Sequence, residues 1–474
     1  MRILWLFMLL LITAPAFPAP DEAHERSPNV LFIAIDDLRN DLGALGAEYM
    51  QTPSLDAFAR ESRLFSHHFV QVPTCGSSRA ALLRGKRSTQ PEFLPNTAIA
   101  NTQQLWGHQS LPSWFRRHGY QTLSLGKITH YPGGLTGDGW AEGPEELPGA
   151  WDRAWVPASP WETPEDMMHG YAHGRPRDRG NSPPWQAFDG PDSSYPDAWV
   201  AGEAVDMLQK LSQDDEPWFF AVGFFKPHLP FAAPRHYFDL YDPDRIPEPE
   251  NTGRHPRPSS WHASGEMMGN YGHDGNDPRT GREYARRLRH GYAAATSYVD
   301  VQVGRLLDSF EQLGLEENTI VVIWGDHGFA LGEQGIWGKH SLYEVALKSP
   351  LMIRYPGMDQ RGQASNAVVE TVDLFPTLTD LTGLPTPEGL HGRSLRKQLE
   401  SPRAGSDKAA FAHYNRGQST VRTDDWRLIV HRPEKEIEAM ELFDFRQSGQ
   451  GERRDPAGYP DVVEQLLEQM EGQE

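Results

Sequence analysis

Three stretches of the chain are apolar at nearly every position, and they predict strands buried on both faces of a sheet. They are Asn29–Ile35 (NVLFIAI), residues 217–224 (PWFFAVGF) and residues 319–328 (TIVVIWGDHG, which ends in polar residues). Continuous runs of this kind are typical of parallel strands covered by helices on both sides. Helices are predicted from Pro53, over 110–118, from Pro196 to about 212, and over 281–313 and 373–382. The pattern therefore predicts an α/β fold with a large, mostly parallel sheet flanked by helices.

Two long stretches, 131–195 and 241–280, are rich in Pro, Gly, Trp and Asp and show little periodicity. Long loops in a compact domain are commonly functional, and the tryptophans favour ordered loops that face a substrate. After about residue 386 the pattern changes to short strands with turns, as in STVRTDDWRLIVH and AMELFDF. We predict a main domain at 28–385 and a small C-terminal α+β subdomain with an antiparallel sheet at 386–474.

The first residues predict export. Arg2 precedes ten apolar residues, Ile3 to Ile12, and Ala14-Pro15-Ala16 forms a small-x-small cleavage site. The apolar run is too short to span a bilayer, so residues 1–16 are interpreted as a signal peptide, with cleavage as late as residue 19. A membrane anchor is the alternative. After cleavage the protein is expected in the periplasm or outside the cell, with no membrane partner.

The composition is strongly acidic. Of 474 residues, 45 are Lys or Arg and 65 are Asp or Glu, which gives a net charge of −20. A chain with this charge is not a general nucleic-acid binder, so no nucleic-acid partner is expected. An anionic substrate would have to be attracted by a local basic pocket, because the overall field of the protein repels it.

The chain has a single cysteine, Cys75, within VPTCGSSRAALLRG (72–85). One cysteine cannot form an internal disulfide, and a free thiol is a liability in an oxidising compartment. An inert cysteine that packs as a small hydrophobe is the alternative. The small polar residues that follow, with Arg79 one turn later, instead indicate a helix N-terminus whose N–H groups face an anion. Cys75 and Arg79 are therefore candidate functional residues.

Polar pairs follow two of the apolar strands, at the point where open α/β sheets place their sites. Asp36-Asp37 follows the first strand and Asp326-His327 follows the third. Adjacent carboxylates repel each other and need a cation, a proton or an arginine nearby. Three aspartates suit a hard divalent ion such as Ca²⁺ or Mg²⁺. Capping of the following turn is the alternative for Asp36-Asp37.

Three short motifs place a lysine and a histidine just after strands. They are GKITHYPG with Lys127 and His130, FKPHLPF with Lys226 and His228, and WGKHSLYE with Lys339 and His340. A structural histidine and a solvated lysine are the ordinary alternative for each motif alone. Their repeated placement after strands makes all six residues candidates for the site.

In combination and order, these motifs resemble the sulfatase family. Residues 72–87 resemble its signature, in which a cysteine is followed by a small residue, then usually by proline, serine and arginine. The segments that resemble its iduronate-2-sulfatase branch are IAIDDLR, GKITHYPG, GFFKPHLPF, GDHGFALGEQGIWGKHSLYEVALKSPLMIRYPG and ELFDF. The resemblance runs from about residue 28 to 445, and it implies an alkaline-phosphatase-like sandwich fold, a catalytic main domain and hydrolysis of sulfuric esters.

The resemblance also implies how Cys75 is used. A formylglycine-generating enzyme would oxidise it to formylglycine, whose aldehyde hydrates to a gem-diol that attacks sulfur. The implied metal is Ca²⁺, with Mg²⁺ less favoured, and its implied ligands are Asp36, Asp37, Asp326, His327 and the modified Cys75.

The remaining candidates take roles from the same chemistry. Arg79, together with the metal, would lower the pKa of the gem-diol and hold the sulfate oxygens. Lys127 and Lys339 would neutralise charge on sulfate as the S–O bond breaks. His228 would protonate the leaving alcohol, and His130 would remove the second gem-diol proton. The predicted substrate-binding residues are Arg39, Lys226 and His340.

The leading interpretation is an exported sulfatase that acts on a sulfated carbohydrate, with a 2-O-sulfated uronic acid as the candidate substrate. Arg39 is predicted to project into the same pocket as Asp36-Asp37 and to bind the uronate carboxylate; the alternative is that it only offsets the two aspartates. The competing functions are a phosphate or phosphonate monoester hydrolase of the same superfamily and a non-catalytic sulfoglycan-binding protein. Ser77 stands where the signature usually has proline, which leaves the efficiency of Cys75 maturation open.

Overall fold

The structure is a computed structural model that describes residues 27–106, 109–132, 146–253, 262, 264–406, 408–415, 417–433, 436–449 and 451–473. The predicted signal peptide, residues 1–16, lies outside these described residues. Within them, none of the helices combines the length and apolarity that crossing a membrane requires.

Nineteen strands lie in the described part of the chain. They are β1 (Asn29–Ile35), β2 (Arg63–Phe65), β3 (His68–Phe69), β4 (Gln121–Gly126), β5 (Arg153–Trp155), β6 (Trp185–Phe188), β7 (Trp218–Phe224), β8 (Phe231–Pro234), β9 (Thr319–Gly325), β10 (Ala330–Leu331), β11 (Trp337–Gly338), β12 (Leu351–Arg354), β13 (Ala364–Ser365), β14 (Val369–Glu370), β15 (Ala410–Tyr414), β16 (Gln418–Arg422), β17 (Trp426–His431), β18 (Ala439–Asp444) and β19 (Glu452–Arg454).

The α-helices of the same residues alternate with the strands along most of the chain. They are α1 (Pro53–Glu61), α2 (Cys75–Arg84), α3 (Ala98–Thr102), α4 (Leu111–Arg117), α5 (Pro164–His169), α6 (Pro196–Leu211), α7 (Arg235–Phe238), α8 (Glu266–Asn270), α9 (Arg282–Gln312), α10 (Glu344–Leu347), α11 (Leu374–Leu381), α12 (Arg396–Glu400) and α13 (Pro460–Glu471).

Eight strands form the central sheet, in the order β13-β2-β12-β9-β1-β7-β4-β5. Strand β12 runs antiparallel to both of its neighbours, and the other pairings in the sheet are parallel. The prediction of a large, mostly parallel sheet is therefore confirmed.

Strand β1 shows why its sequence is apolar at every position. Leu31 and Ile33 pack in one cluster with side chains of α1, α6 and α9. Val30 and Phe32 point to the opposite face and pack with side chains of α2, α4 and α11. Because successive side chains of a strand alternate between faces, a sheet covered on both sides needs an apolar residue at each position. Burial of each such side chain stabilises the folded protein by about 1.5–3 kcal/mol.

The C-terminal strands β15 to β19 form a second sheet, antiparallel throughout, as predicted. Helix α13 covers one face, where Val463 and Leu466 join the apolar cluster of that sheet. On the other face, Ile429 and Phe443 pack in one cluster with Phe69 and Val70 of the main domain. The sheet is therefore docked on the main domain, and the predicted domain boundary at 385/386 stays a prediction.

Four neighbouring parallel strands of the central sheet, β9, β1, β7 and β4, end at the same edge. The first charged residues after these strands are Asp326, Asp36, Lys226 and Lys127, in that order. The topology thus gathers four of the polar segments singled out in the sequence at the carboxyl edge of the sheet.

Candidate active site

Cys75 is the first residue of helix α2 and is fully buried. Its Sγ lies 3.2 Å from Lys339 Nζ, 3.2 Å from His327 Nε2 and 3.8 Å from Asp37 Oδ1. Burial raises the pKa of the thiol well above its ordinary value, and the Asp36 carboxylate adds to the rise. An unmodified Cys75 in this site is therefore a protonated thiol and a poor nucleophile.

The residues after Cys75 are fixed by close packing. Gly76 must lack a side chain, because a Cβ there would lie 2.1 Å from Asn96 O. The Gly76 N–H also donates to Asn96 Oδ1 at 3.0 Å. Ser77 is buried, and its hydroxyl donates to Pro95 O at 2.9 Å. The serine that replaces the usual proline is therefore built into the fold.

Three aspartates meet beside Cys75. The Asp37 N–H donates to Asp326 Oδ1 at 2.9 Å, which ties the end of β1 to the end of β9. Burial raises the pKa of Asp37 well above its usual range, and the Asp36 carboxylate adds to this against the opposing charge of Lys339. The pKa of Asp326 rises to about 7, by burial first and by the charge of Asp36 second.

Two buried cations lie beneath the aspartates. Arg79 contacts Asp326 Oδ2 at 2.9 Å and Asp36 Oδ1 at 3.1 Å through the same nitrogen. The Lys127 ammonium is paired with Asp36 and lies 2.7 Å from Met168 Sδ. Burial opposes ionisation of Asp36, but the nearby charges, Lys127 foremost, hold its pKa well below the usual range. Arg79 and Lys127 therefore neutralise charge on the aspartates here.

These side chains offer ligand atoms for a metal ion. One group is Asp36, Asp37, Cys75 and His228, another is Cys75, Asp326 and His327, and within each group the ligand atoms lie within 4.8 Å of one another. The carboxylate oxygens are ligands that hard divalent cations prefer, and a dication among them would relieve the repulsion that raises two of their pKa values. The donor set therefore fits Ca²⁺ or Mg²⁺. We call Asp36, Asp37, Cys75, Asp326 and His327 the catalytic cluster.

The catalytic cluster is reached from an open cavity of about 590 Å³. Cys75, His130, His228, Lys339 and His340 line it, so the structure brings five of the predicted site residues to one surface. Burial, with the charge of Lys127, lowers the pKa of His130 well below its usual value, which makes it a neutral base. The volume of the cavity is in the range of pockets that bind small organic ligands.

His228 has acceptors at both ring nitrogens. Nδ1 lies 2.7 Å from Leu229 O, and Nε2 lies 3.1 Å from Glu266 Oε1. Burial and the charge of Lys339 lower the pKa of His228 to about 4. The imidazolium is nevertheless the form that satisfies both acceptors. An anionic ligand that offsets Lys339 would therefore favour protonated His228.

The Sulfatase family model matches residues 28–384 of this chain. The chain belongs to the sulfatase family. A second model, N-sulphoglucosamine sulphohydrolase, C-terminal, matches residues 332–474. Iduronate 2-sulfatase of Mus musculus is 31% identical over 397 residues, which cover 76% of this chain and 69% of that protein. Iduronate 2-sulfatase of Homo sapiens is 30% identical over 434 residues, covering 81% and 74%.

These relatives place this sulfatase in the iduronate-2-sulfatase-like branch, and it is a sulfuric ester hydrolase. Among solved structures, the phosphonate monoester hydrolase of Agrobacterium radiobacter has a TM-score of 0.77 at 23% identity and covers 94% of each chain. At that identity the likeness concerns the fold alone. The predicted alkaline-phosphatase-like fold is confirmed.

Two predicted residues of this sulfatase lie elsewhere. Asp37 has a left-handed backbone (φ 58°), and the chain turns there so that Arg39 faces a separate cavity against the C-terminal sheet. Its guanidinium contacts Glu333 at 2.7 Å and Asp41 at 2.8 Å. This corrects the prediction that Arg39 enters the pocket beside Cys75. Both carboxylates neutralise its charge there, and its predicted binding of a uronate carboxylate stays a prediction.

Lys226 is turned into its own loop. Its ammonium donates to His228 O at 3.0 Å and to Pro230 O at 2.8 Å, and the side chain is fully buried. The loop is also held by Asp197, whose carboxylate accepts from the Phe225 N–H at 2.6 Å. Lys226 therefore shapes the loop that carries His228, and its predicted substrate binding stays a prediction. His340, in contrast, lines the cavity, and its Nδ1 lies 2.9 Å from Ser264 Oγ.

Sequence motifs missed the residues that the two irregular stretches bring to the cavity. Glu266, in α8, contacts His228 and also Lys339 Nζ, the latter at 3.2 Å. Burial opposes its ionisation, but Lys339 and His228 hold its pKa well below the usual range. The other newly found lining residues include Glu165, His169, Arg177, Arg179 and Asn270. Their signal was the low periodicity of 131–195 and 241–280, which marks the loops without identifying their side chains.

A third group of ligand-type side chains lies outside this cavity. Glu441 Oε1 is 3.0 Å from His262 Nε2 and 3.1 Å from His431 Nε2. Its Oε2 accepts from Tyr343 at 3.1 Å and from Arg453 at 3.0 Å. We call these five residues the Glu441 cluster. Four donors already fill the carboxylate, so the cluster joins the C-terminal sheet to the main domain rather than awaiting a metal.

Proposed function

We propose that this protein is an exported sulfatase that hydrolyses sulfate esters of a sulfated carbohydrate and uses formylglycine, formed from Cys75, as its nucleophile. The observation that carries the proposal is the position of Cys75. It lies at the base of an open cavity, 3.2 Å from a lysine and beside three aspartates. That arrangement suits attack on an anionic ester far better than it suits an inert thiol.

A divalent cation, with Ca²⁺ as our proposal, would be held by the catalytic cluster. When bound, it supplies Lewis acidity that stabilises negative charge on the sulfate oxygens. The chain's own contribution is to orient the ligands. Arg79 grips Asp36 and Asp326, and the Asp37 N–H bond fixes Asp326 from the other side.

As formylglycine, residue 75 supplies a hydrated aldehyde, one hydroxyl of which is the nucleophile and the other the means of expelling sulfate. Lys339 lies 3.2 Å from the Cys75 sulfur and is placed to bind the ester sulfate. His228 protonates the leaving alcohol, because it lines the cavity and its protonated form is favoured once sulfate offsets the charge of Lys339. His130, neutral in the free protein, takes the proton that sulfate release requires.

Maturation requires a formylglycine-generating enzyme as a partner. Such an enzyme has to act on the unfolded segment, because Cys75 and Ser77 are fully buried in the folded protein. Ser77 replaces the usual proline, so the fraction of Cys75 that is converted to formylglycine in a given host has to be measured. Its hydroxyl bond to Pro95 O indicates that the substitution is accommodated in the folded enzyme.

The proposed substrate is a sulfated glycan or sugar, with a 2-O-sulfated uronic acid as the first candidate. The support is the likeness to iduronate 2-sulfatases, at 30–31% identity. A cavity of about 590 Å³ has room for a sugar ring with its sulfate. The described residues of 131–195 and 241–280 that line the cavity, among them Glu165, Arg177 and Asn270, would contact the sugar.

The test is hydrolysis by protein produced together with a formylglycine-generating enzyme. We expect sulfate release from a 2-O-sulfated uronate, loss of activity after exhaustive chelation and recovery with Ca²⁺. Faster hydrolysis of a phosphonate monoester than of any sulfate ester would favour the monoester hydrolase alternative. Tight binding of sulfated sugar without turnover, in protein that retains the Cys75 thiol, would favour a binding protein.

A further inference from the structure

Two arginines lie in the active-site cavity but outside the catalytic cluster. Arg177 and Arg179 belong to the connection between α5 and β6, and both line the cavity that contains Cys75 and Lys339. We propose that they form an anion subsite that receives a second anionic group of the substrate, a carboxylate or another sulfate. This inference rests on the proposed function, because it concerns the remainder of the same substrate.

Arg177 is held in place but weakly paired. Its guanidinium lies over the ring of Tyr271, 5.5 Å from the centroid, and its side chain is 10% exposed. Its ion pair with Glu165 is long, at 3.6 Å, and the Glu165 side chain is 51% exposed. Arg79, in comparison, contacts a fully buried carboxylate at 2.9 Å. A substrate anion can therefore displace Glu165 from Arg177 at little cost, since a long ion pair with a half-exposed carboxylate contributes little.

Arg179 stands at the rim and is oriented by α8. Its Nε donates to Asn270 Oδ1 at 2.9 Å, and the neighbouring Gly180 N–H donates to Asn270 O at 3.0 Å. The same short helix carries Glu266, which contacts Lys339 and His228. Arg179 is thus held by the helix that also contacts the catalytic groups, which fixes the subsite relative to the sulfate-binding end of the cavity.

The net negative charge of the protein explains why binding an anionic substrate requires these arginines. A net charge of −20 repels anions, so a polyanionic sugar needs local cations where it enters. The buried cations Arg79 and Lys127 are committed to the aspartates. A guanidinium can hold a carboxylate or sulfate through two parallel hydrogen bonds, which gives both affinity and orientation.

The experiment compares three sulfate esters that share the reacting 2-O-sulfate: a uronate, its neutral hexose counterpart, and the neutral sugar with a second sulfate. In Arg177→Met, kcat/KM should fall about ten- to a hundredfold on a doubly anionic substrate and little on the monosulfated neutral sugar. The loss should appear mainly in KM. Arg179→Met should show the same pattern with a smaller loss, since it is exposed. Loss on the uronate alone identifies a carboxylate, and loss on the disulfated sugar alone identifies a second sulfate.

Arg175→Met is the matched control, because Arg175 lies nearby over Tyr171 and does not line the cavity. Should Arg177→Met fold poorly by thermal melting, Arg177→Lys keeps the stem over Tyr271 and loses the paired hydrogen bonds. Equal loss on all three substrates in the Arg177 variants would overturn the subsite while leaving the sulfatase proposal intact. A wild-type enzyme that hydrolyses no sulfate ester would instead reject the proposed function.

Discussion

The catalytic cluster and the Glu441 cluster both combine buried carboxylates with histidine, but their charges are matched differently. Glu441 is one carboxylate with four donors, two on each oxygen. Burial opposes its ionisation, yet the bonds from His262 and His431 outweigh burial and hold its pKa well below the usual range. Every polar atom of that carboxylate has a partner within the chain.

The catalytic cluster is left short of positive charge. Four carboxylates, Asp36, Asp37, Asp326 and the adjoining Glu266, share three cations, Arg79, Lys127 and Lys339. Burial and mutual repulsion still raise the pKa values of Asp37 and Asp326. Keeping such groups together costs stability, so the arrangement serves a ligand rather than the fold. A buried carboxylate that is saturated by donors indicates structure, and a buried group of carboxylates that is not saturated indicates a cation site.

Removing one aspartate of the catalytic cluster should produce the largest effect. Asp326→Asn keeps the acceptor for the Asp37 N–H and removes one negative charge. We expect activity to fall by at least about a thousandfold, with loss of bound Ca²⁺ measured by calorimetry. In chelated protein the melting temperature should stay the same or rise, because repulsion among the aspartates is relieved. Full activity, or undiminished Ca²⁺ binding, would contradict the assignment.

The Glu441 cluster should respond in the opposite way. Glu441→Gln leaves Arg453 without a charged partner and places an amide N–H₂ against donors. We expect a loss of about 3–5 kcal/mol in the free energy of unfolding, measured by urea denaturation. The kcat/KM of the folded fraction and the Ca²⁺ content should stay close to wild type. A variant that keeps its stability but loses Ca²⁺ would show that Glu441 binds metal after all.

Two histidines make the same 3.1 Å contact with a glutamate, His228 with Glu266 and His431 with Glu441. Substituting each histidine should affect the hydrolysis of two substrates differently. His228→Ala should reduce kcat about a hundredfold on a sugar sulfate and less on an aryl sulfate, whose phenolate leaves without a proton. His431→Ala is the matched control and should lower the melting temperature without favouring either substrate. Equal losses on both substrates in His228→Ala would reject the general-acid role.

The sequence predicted the elements whose pattern is set by burial. The run from Asn29 to Ile35 is a strand with those bounds, because a strand covered on both faces has to be apolar throughout. The aspartates after β1 and β9 followed from the same logic, since strands that run parallel end at one edge. Cys75 stood out because its neighbours are polar.

Residues that reach the site through irregular chain could not be predicted in this way. Glu266 and Arg177 lie in stretches without periodicity, so nothing local says which way their side chains point. Arg39 shows the same limit close to a strand. Arg39 lies two residues beyond Asp37, whose left-handed backbone turns the chain toward a different cavity. Sequence spacing alone does not reveal that turn.

The central claim is that Cys75 acts as formylglycine, and the mass of the tryptic peptide that ends at Arg79 tests it most directly. Preparations made with and without a formylglycine-generating enzyme should be compared for peptide mass and for sulfate release. We predict that the peptide in which oxygen replaces the cysteine sulfur as an aldehyde rises in proportion to specific activity. Full activity in protein whose peptide carries only the unmodified thiol would contradict the account.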